Sequence, residues 1–162
     1  MKPARLLTLL PLLCLLLAAE AAIAQPEGRR LGLGGQVGDP SGLTLKLYRN
    51  AGLPFDRLFT TEAITFLAAW DLDEAFFLNI HLLKERPIQN SPLRFFLGPG
   101  GLMGIEDTRN GLDVTLGVSG TFGVNFFRED FEVFLQITPR LNILPDTEGN
   151  FGGGIGLRYY FR

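Results

Sequence analysis

The chain has little of what most functional sites are built from. Its 162 residues hold one cysteine, one histidine and three lysines. The cysteine, Cys14, sits inside the apolar run "PLLCLLLAA", preceded by Leu13 where a lipid-attachment signal needs a small residue. Beyond that run there is no cysteine, which excludes a disulfide framework, thiolate chemistry and cysteine-based metal sites. Net charge is −2, too balanced to point to nucleic acid as a partner. After residue 24 only Lys46 and Lys84 remain as lysines. A water-facing surface normally mixes many lysines with glutamates, so part of this surface is expected not to face water. Nowhere past the leader do some 18 apolar residues run together, as a membrane helix needs. No long stretch repeats at the helical period either.

What is present begins with a leader. Lys2 and Arg5 precede the apolar stretch Leu6 to Ala19, and Ala22-Ile23-Ala24 places small residues before Gln25. That is the pattern of a cleaved secretory signal. Residues 1–24 are therefore read as signal peptide and 25–162 as one domain, exported from the cytoplasm.

Through that domain the recurring period is two. In "GLTLKLY" Leu43, Leu45 and Leu47 alternate with Thr44, Lys46 and Tyr48; "GLDVTLGVSGTFGVNF" and the closing "FGGGIGLRYYF" behave alike. Eight strands follow, near 29–38, 41–49, 61–70, 75–84, 93–103, 111–126, 131–141 and 151–161. Turn residues such as Asp39-Pro40-Ser41-Gly42 and Pro145 to Asn150 separate them. Pro99 and the glycines between Gly98 and Gly101 predict a bend or bulge in the fifth strand. Strands at this spacing leave no room for βαβ units, so the chain is all-β, a barrel or a sandwich.

Alternation does not say which face points inward. Glycine does. Gly32, Gly34, Gly38, Gly117, Gly123, Gly152, Gly154 and Gly156 all lie on the polar side. There they weaken a water-facing strand but make room inside a narrow barrel. The strand charges Lys46, Arg94, Asp113, Glu132, Arg140 and Arg158 share that polar side, as does His81. Strand lengths of eight to eleven residues suit a tilted bilayer crossing, and closure satisfies every backbone amide in lipid. The expected architecture is an eight-stranded antiparallel up-and-down transmembrane β-barrel. Its outer face meets lipid and its interior holds a network of Lys46, His81, Arg94, Asp113, Glu132, Arg140 and Arg158, four strand cations facing two strand acids.

The end "IGLRYYF" resembles the closing strand of bacterial outer-membrane barrels, and the domain is similar in size to the small OmpA/OmpX-type barrels. More narrowly it resembles uncharacterised small outer-membrane barrels with a Gly-Asp-Pro-Ser/Thr-Gly-Leu hairpin. Here that is Gly38-Asp39-Pro40-Ser41-Gly42-Leu43, with Phe131-Glu132-Val133-Phe134-Leu135 and Arg158-Tyr159-Tyr160-Phe161 as later matches. The resemblance implies an outer-membrane location and both chain ends in the periplasm. It also implies outer-membrane lipid as the surroundings and Leu157, Tyr159 and Phe161 as the signal read by the barrel-assembly machinery. Two features depart from the pattern: Arg162 follows the last aromatic, and the first periplasmic connection, Asn50 to Thr60, is longer than the outward turns.

Chemistry finds little purchase. His81 has no serine in a recognisable nucleophile context among Ser41, Ser91 and Ser119, so it is read as a lumen hydrogen-bonding residue. "GLGGQVG" lacks the strand-to-helix setting of a dinucleotide loop. "DLDE" and "DTEGN" lack the spacing of a calcium loop. No catalytic residue, cofactor or metal is expected, and the chain is read as a monomer with a structural or interaction role. The two alternatives are a secreted lipocalin-like barrel with an apolar ligand inside, and an outer-membrane lipid-modifying enzyme using His81.

Overall fold

The computed structural model describes residues 31–48, 61–70, 75–108 and 111–161. The expected signal peptide, the 50–60 connection, the 71–74 turn and Arg162 lie outside them. Eight strands form one closed, antiparallel barrel in chain order. They are β1 (Leu31–Asp39), β2 (Gly42–Tyr48), β3 (Ala63–Trp70), β4 (Ala75–Pro87), β5 (Leu93–Thr108), β6 (Gly111–Arg128), β7 (Phe131–Leu144) and β8 (Glu148–Phe161). Closure is made by β1 against β8, from Leu31↔Phe161 to Asp39↔Gly153.

Each strand has two opposite faces, as period-two side chains require. Along β3 the burial alternates strictly, with Ala63, Thr65, Leu67 and Ala69 inside. Outside, large apolar side chains stand exposed all round the wall, among them Val37, Leu43, Trp70, Leu97, Val118, Leu135 and Ile155. Inside, the buried set includes Gln36, Thr44, Lys46, Asn79, Glu85, Asn125, Glu132 and Arg158. The sorting is therefore inverted relative to a water-soluble protein.

The strands climb around the axis. Cross-strand partners traced from Gly32 run through Lys46, Thr65, His81, Gly100, Ser119 and Arg140 to Asn150. The β8 partner of Gly32 is Tyr160, ten residues from Asn150. A stagger of ten over eight strands corresponds to a tilt of about 40°. Residues far apart in register thus meet at one level of the interior.

The expected bend at Pro99 does not form. β5 keeps one register with β6 from Leu93↔Phe126 to Thr108↔Gly111, with Pro99 opposite Gly120. Proline costs the sheet only a gap on the β4 side, between His81↔Gly100 and Lys84↔Leu97, where it has no N–H to donate. The irregularity falls instead on β6, where the register with β7 shifts between Leu116 and Gly117.

Interior glycines fit where the ring of the paired residue on the adjacent strand leans over them. A Cβ on Gly32 would press on the Tyr160 ring, and one on Gly156 would meet the Phe134 ring and the Gly35 carbonyl. Gly35 itself points outward, where an added Cβ finds its nearest atom at 3.7 Å. Replacing Gly156 by Ala is expected to cost about 1–3 kcal/mol by overpacking, whereas Gly35→Ala should stay within about 0.5 kcal/mol. Urea midpoints of the two variants in detergent check this; equal shifts would mean the inner face is not the crowded one.

Candidate functional site

The barrel has two ends: one, the terminal end, carries the start of β1 and the end of β8, the other the β1–β2 hairpin. Near the terminal end the strand tilt brings Lys46 of β2, Glu85 of β4, Asn125 of β6, Glu132 of β7 and Arg158 of β8 into one buried cluster. Lys46 sits at its centre. Its Nζ donates to Glu132 Oε1 at 2.7 Å and also to Glu85 Oε1. The side chains of Lys46, Glu85 and Glu132 are wholly shielded from solvent.

Each carboxylate is then satisfied several times over. Glu132 accepts from Arg158 Nη1 at 3.1 Å, Tyr160 Oη at 2.6 Å and Asn125 Nδ2 at 2.7 Å. Glu85 accepts from Asn125 Nδ2 and Tyr48 Oη, each at 3.1 Å. Arg94 Nε lies 3.4 Å from Glu85 Oε2, a charge contact without hydrogen-bond alignment. Arg158 also donates from Nε and Nη2 to Thr44 Oγ1, at 3.0 and 2.8 Å, and stacks 3.7 Å over the Phe134 ring. Lys46 faces the rings of Tyr48 and Phe127 at 5.0 and 5.5 Å. Charge-assisted bonds of this kind are the strong ones. Burying an ion is tolerable only when its partners are this complete.

Of the seven polar residues expected in one network, the structure brings together Lys46, Arg94, Glu132 and Arg158. His81 lies apart, sharing a 3.0 Å hydrogen bond between Nε2 and Ser119 Oγ. Arg140 is towards the other end, with Nη2 3.0 Å from Asp39 Oδ2. Asp113 stands exposed at that far end, opposite Glu106 in the β5–β6 ladder. The expected four cations facing Asp113 and Glu132 are thus replaced by three cations, Lys46, Arg94 and Arg158, around Glu85 and Glu132.

Glu85 is the residue sequence reasoning misses. It falls just past the expected fourth strand, 75–84, among the turn residues that lead to Pro92, yet β4 runs on to Pro87 and Glu85 continues the inward series Asn79, His81, Leu83. Extending the alternation by two steps would have found it. Leu157, Tyr159 and Phe161 point outward, with Tyr159 edge-on between Phe131 and Phe161 at 5.2 Å from each.

No family model and no curated protein matches the chain. Among solved structures, the crystal structure of the N-terminal β-barrel domain of Pseudomonas aeruginosa OprF is similar. The match covers 82% of this chain and 96% of that one, with 13% identity and a TM-score of 0.58. The shared fold is the closed eight-stranded antiparallel barrel. At this identity the likeness concerns the path of the wall and not the side chains within it.

Glu132→Gln is expected to lower stability by about 3–5 kcal/mol, because it leaves Lys46 and Arg158 short of countercharge in a buried site. The exposed pair Arg86–Glu62, 3.0 Å apart, provides the contrast: Arg86→Gln should cost at most about 1 kcal/mol. Denaturant titration of both variants in the same detergent decides it; similar losses would show the cluster to be energetically ordinary.

Proposed function

We propose that the chain, once its leader is cleaved, is a small integral barrel of the bacterial outer membrane with a structural or interaction role and no catalysis. The observation that carries this reading is the inverted sorting of the wall. Val37 is 73% exposed and Leu135 and Ile155 54% each, while the buried cations Lys46 and Arg158, the half-buried Arg94 and two buried acids fill the terminal end of the bore. A closed wall with that arrangement is stable when lipid surrounds it. Likeness of fold to the OprF domain supports the same reading. Leu157, Tyr159 and Phe161 are proposed to be read by the assembly machinery, and the barrel to work as a monomer with both ends of the chain in the periplasm.

The interior is proposed to be a plug and not a channel. An eight-stranded barrel has room for side chains and little else, and Tyr160, Phe96 and Phe134 occupy the level of the ion cluster together with it. A lipocalin-like role would need an open apolar interior, whereas here most large apolar side chains stand outside and the bore is filled by the ion cluster and its packed rings. Catalysis by His81 would need a substrate to reach it; His81 is 4% exposed, and its hydrogen-bonding partner Ser119 is half-buried beside it.

Recovery in the outer-membrane fraction, with faster migration in SDS before boiling than after, is the expected result for the native protein. A soluble periplasmic protein whose mobility ignores boiling would refute the proposal. Leu116→Arg on the outer face should destabilise the folded barrel by about 2–4 kcal/mol, seen on the same gels as a smaller fast-migrating fraction. Planar-bilayer recordings should show no conductance steps; steady single-channel openings would replace the plug with a pore.

A further inference from the structure

One feature of the outer wall is not explained by a uniform lipid-facing surface. On the terminal half, the side chains of Leu93, Val124, Phe126, Val133, Leu135 and Ile155 line a groove of about 340 Å³. They come from four adjacent strands, β5 to β8, and all lie on the outward series. The groove exists because two short side chains, Val124 and Val133, form its floor between longer walls. Phe126, although on the outward series, is only 7% exposed. Leu135 and Ile155 rise beside the floor at 54% exposure.

We propose that this groove seats one acyl chain of a membrane phospholipid, making it a specific lipid site and not merely annular surface. The inference rests on the membrane reading above. Three observations point to this occupant. The groove is continuous with the apolar belt, so a hydrocarbon chain enters it without crossing water. Its volume lies near the lower limit of ligand pockets, about 300–1,000 Å³, which suits one acyl chain and not a folded partner. Its mouth is at the terminal rim, where polar groups begin. There Ser91, whose Oγ accepts from the Leu93 N–H at 3.1 Å, closes one side. The aromatics Phe131, Tyr159 and Phe161 mark that same level on β7 and β8.

The test uses the intact barrel in detergent, titrated with palmitoyl-oleoyl phosphatidylglycerol and followed by native mass spectrometry. A single bound lipid should stand above the statistical distribution. Filling the floor with Val124→Phe and Val133→Phe together should weaken it about tenfold, the effect of losing roughly two methylenes of buried contact. Val114→Phe, outward but outside the groove, should leave it unchanged. Should the floor variant fail to fold, photo-crosslinking of the unaltered protein with a phosphatidylglycerol carrying a diazirine on one chain provides the second reading. Adducts should concentrate on Leu93, Leu135 and Ile155 over Leu116.

Equal lipid retention in the floor variant, or adducts spread evenly round the wall, would overturn the proposal. So would preferential capture of lipid A, or a dimer in the native protein that the floor variant abolishes, because either assigns the groove to another occupant. Failure of the membrane reading looks different: the protein would then be recovered without detergent and without a boiling-dependent shift.

Discussion

The bore of an eight-stranded barrel admits side chains and almost nothing else, and the rest of this structure depends on that constraint. The wall has one surface for apolar groups and one for everything polar that the strands must carry. With an apolar exterior, the polar inventory is forced into a tube too narrow for water to solvate it as bulk. Each inward charge must therefore find its partner in protein. That is why Lys46 has two carboxylates, why both carboxylates accept from Asn125, and why Tyr48 and Tyr160 turn their hydroxyls inward onto those same acids.

The same constraint divides the interior among residue types. Where large inward side chains crowd, the strand facing them goes bare: Gly32 beside Tyr160, Gly156 beside Phe134, Gly123 beside Phe96, Gly100 beside His81. A barrel of uniform medium-sized residues would fill the same volume. It would not gather two tyrosines, three cations and two acids at one level. The glycines are the complement of the cluster, and the pairing register of adjacent strands sets which glycine lies beside which ring. Packing and electrostatics are thus two readings of one geometric requirement.

How much of this was legible in the sequence depends on whether a feature is periodic. Strand identity and facing were readable, because apolar residues alternate with polar residues or glycine through most of β2, β6 and β8, and a slip of one residue would exchange the two faces. Strand ends were less readable. Glu85 was lost to a turn because Pro87 and the following Asn90-Ser91-Pro92 are strong turn signals, while the ladder continues to Pro87↔Arg94. Pro99 misled in the opposite direction. A proline opposite Gly120, pointing outward, removes one donor without bending the strand. The grouping of charges was not readable at all. It depends on the ten-residue stagger, which separates Arg140 and Asp113 from Lys46 along the axis although all three share the inner face.

The stagger also explains why polar order and apolar irregularity occur together in this half of the barrel. Fixing Asn125, Glu132 and Phe134 inward on β6 and β7 fixes their neighbours Val124, Val133 and Leu135 outward, in a spacing the ion cluster dictates. Those outward residues are free to be any apolar type as far as the interior is concerned. Two of them being valines, between leucine, isoleucine and phenylalanine, is a choice made by the outer surface alone. A wall selected only for solubility in lipid gains nothing from a recess, since hydrocarbon wets a smooth apolar surface equally well. The groove is therefore best understood as shape, the one property by which an apolar surface can distinguish one hydrocarbon neighbour from the rest.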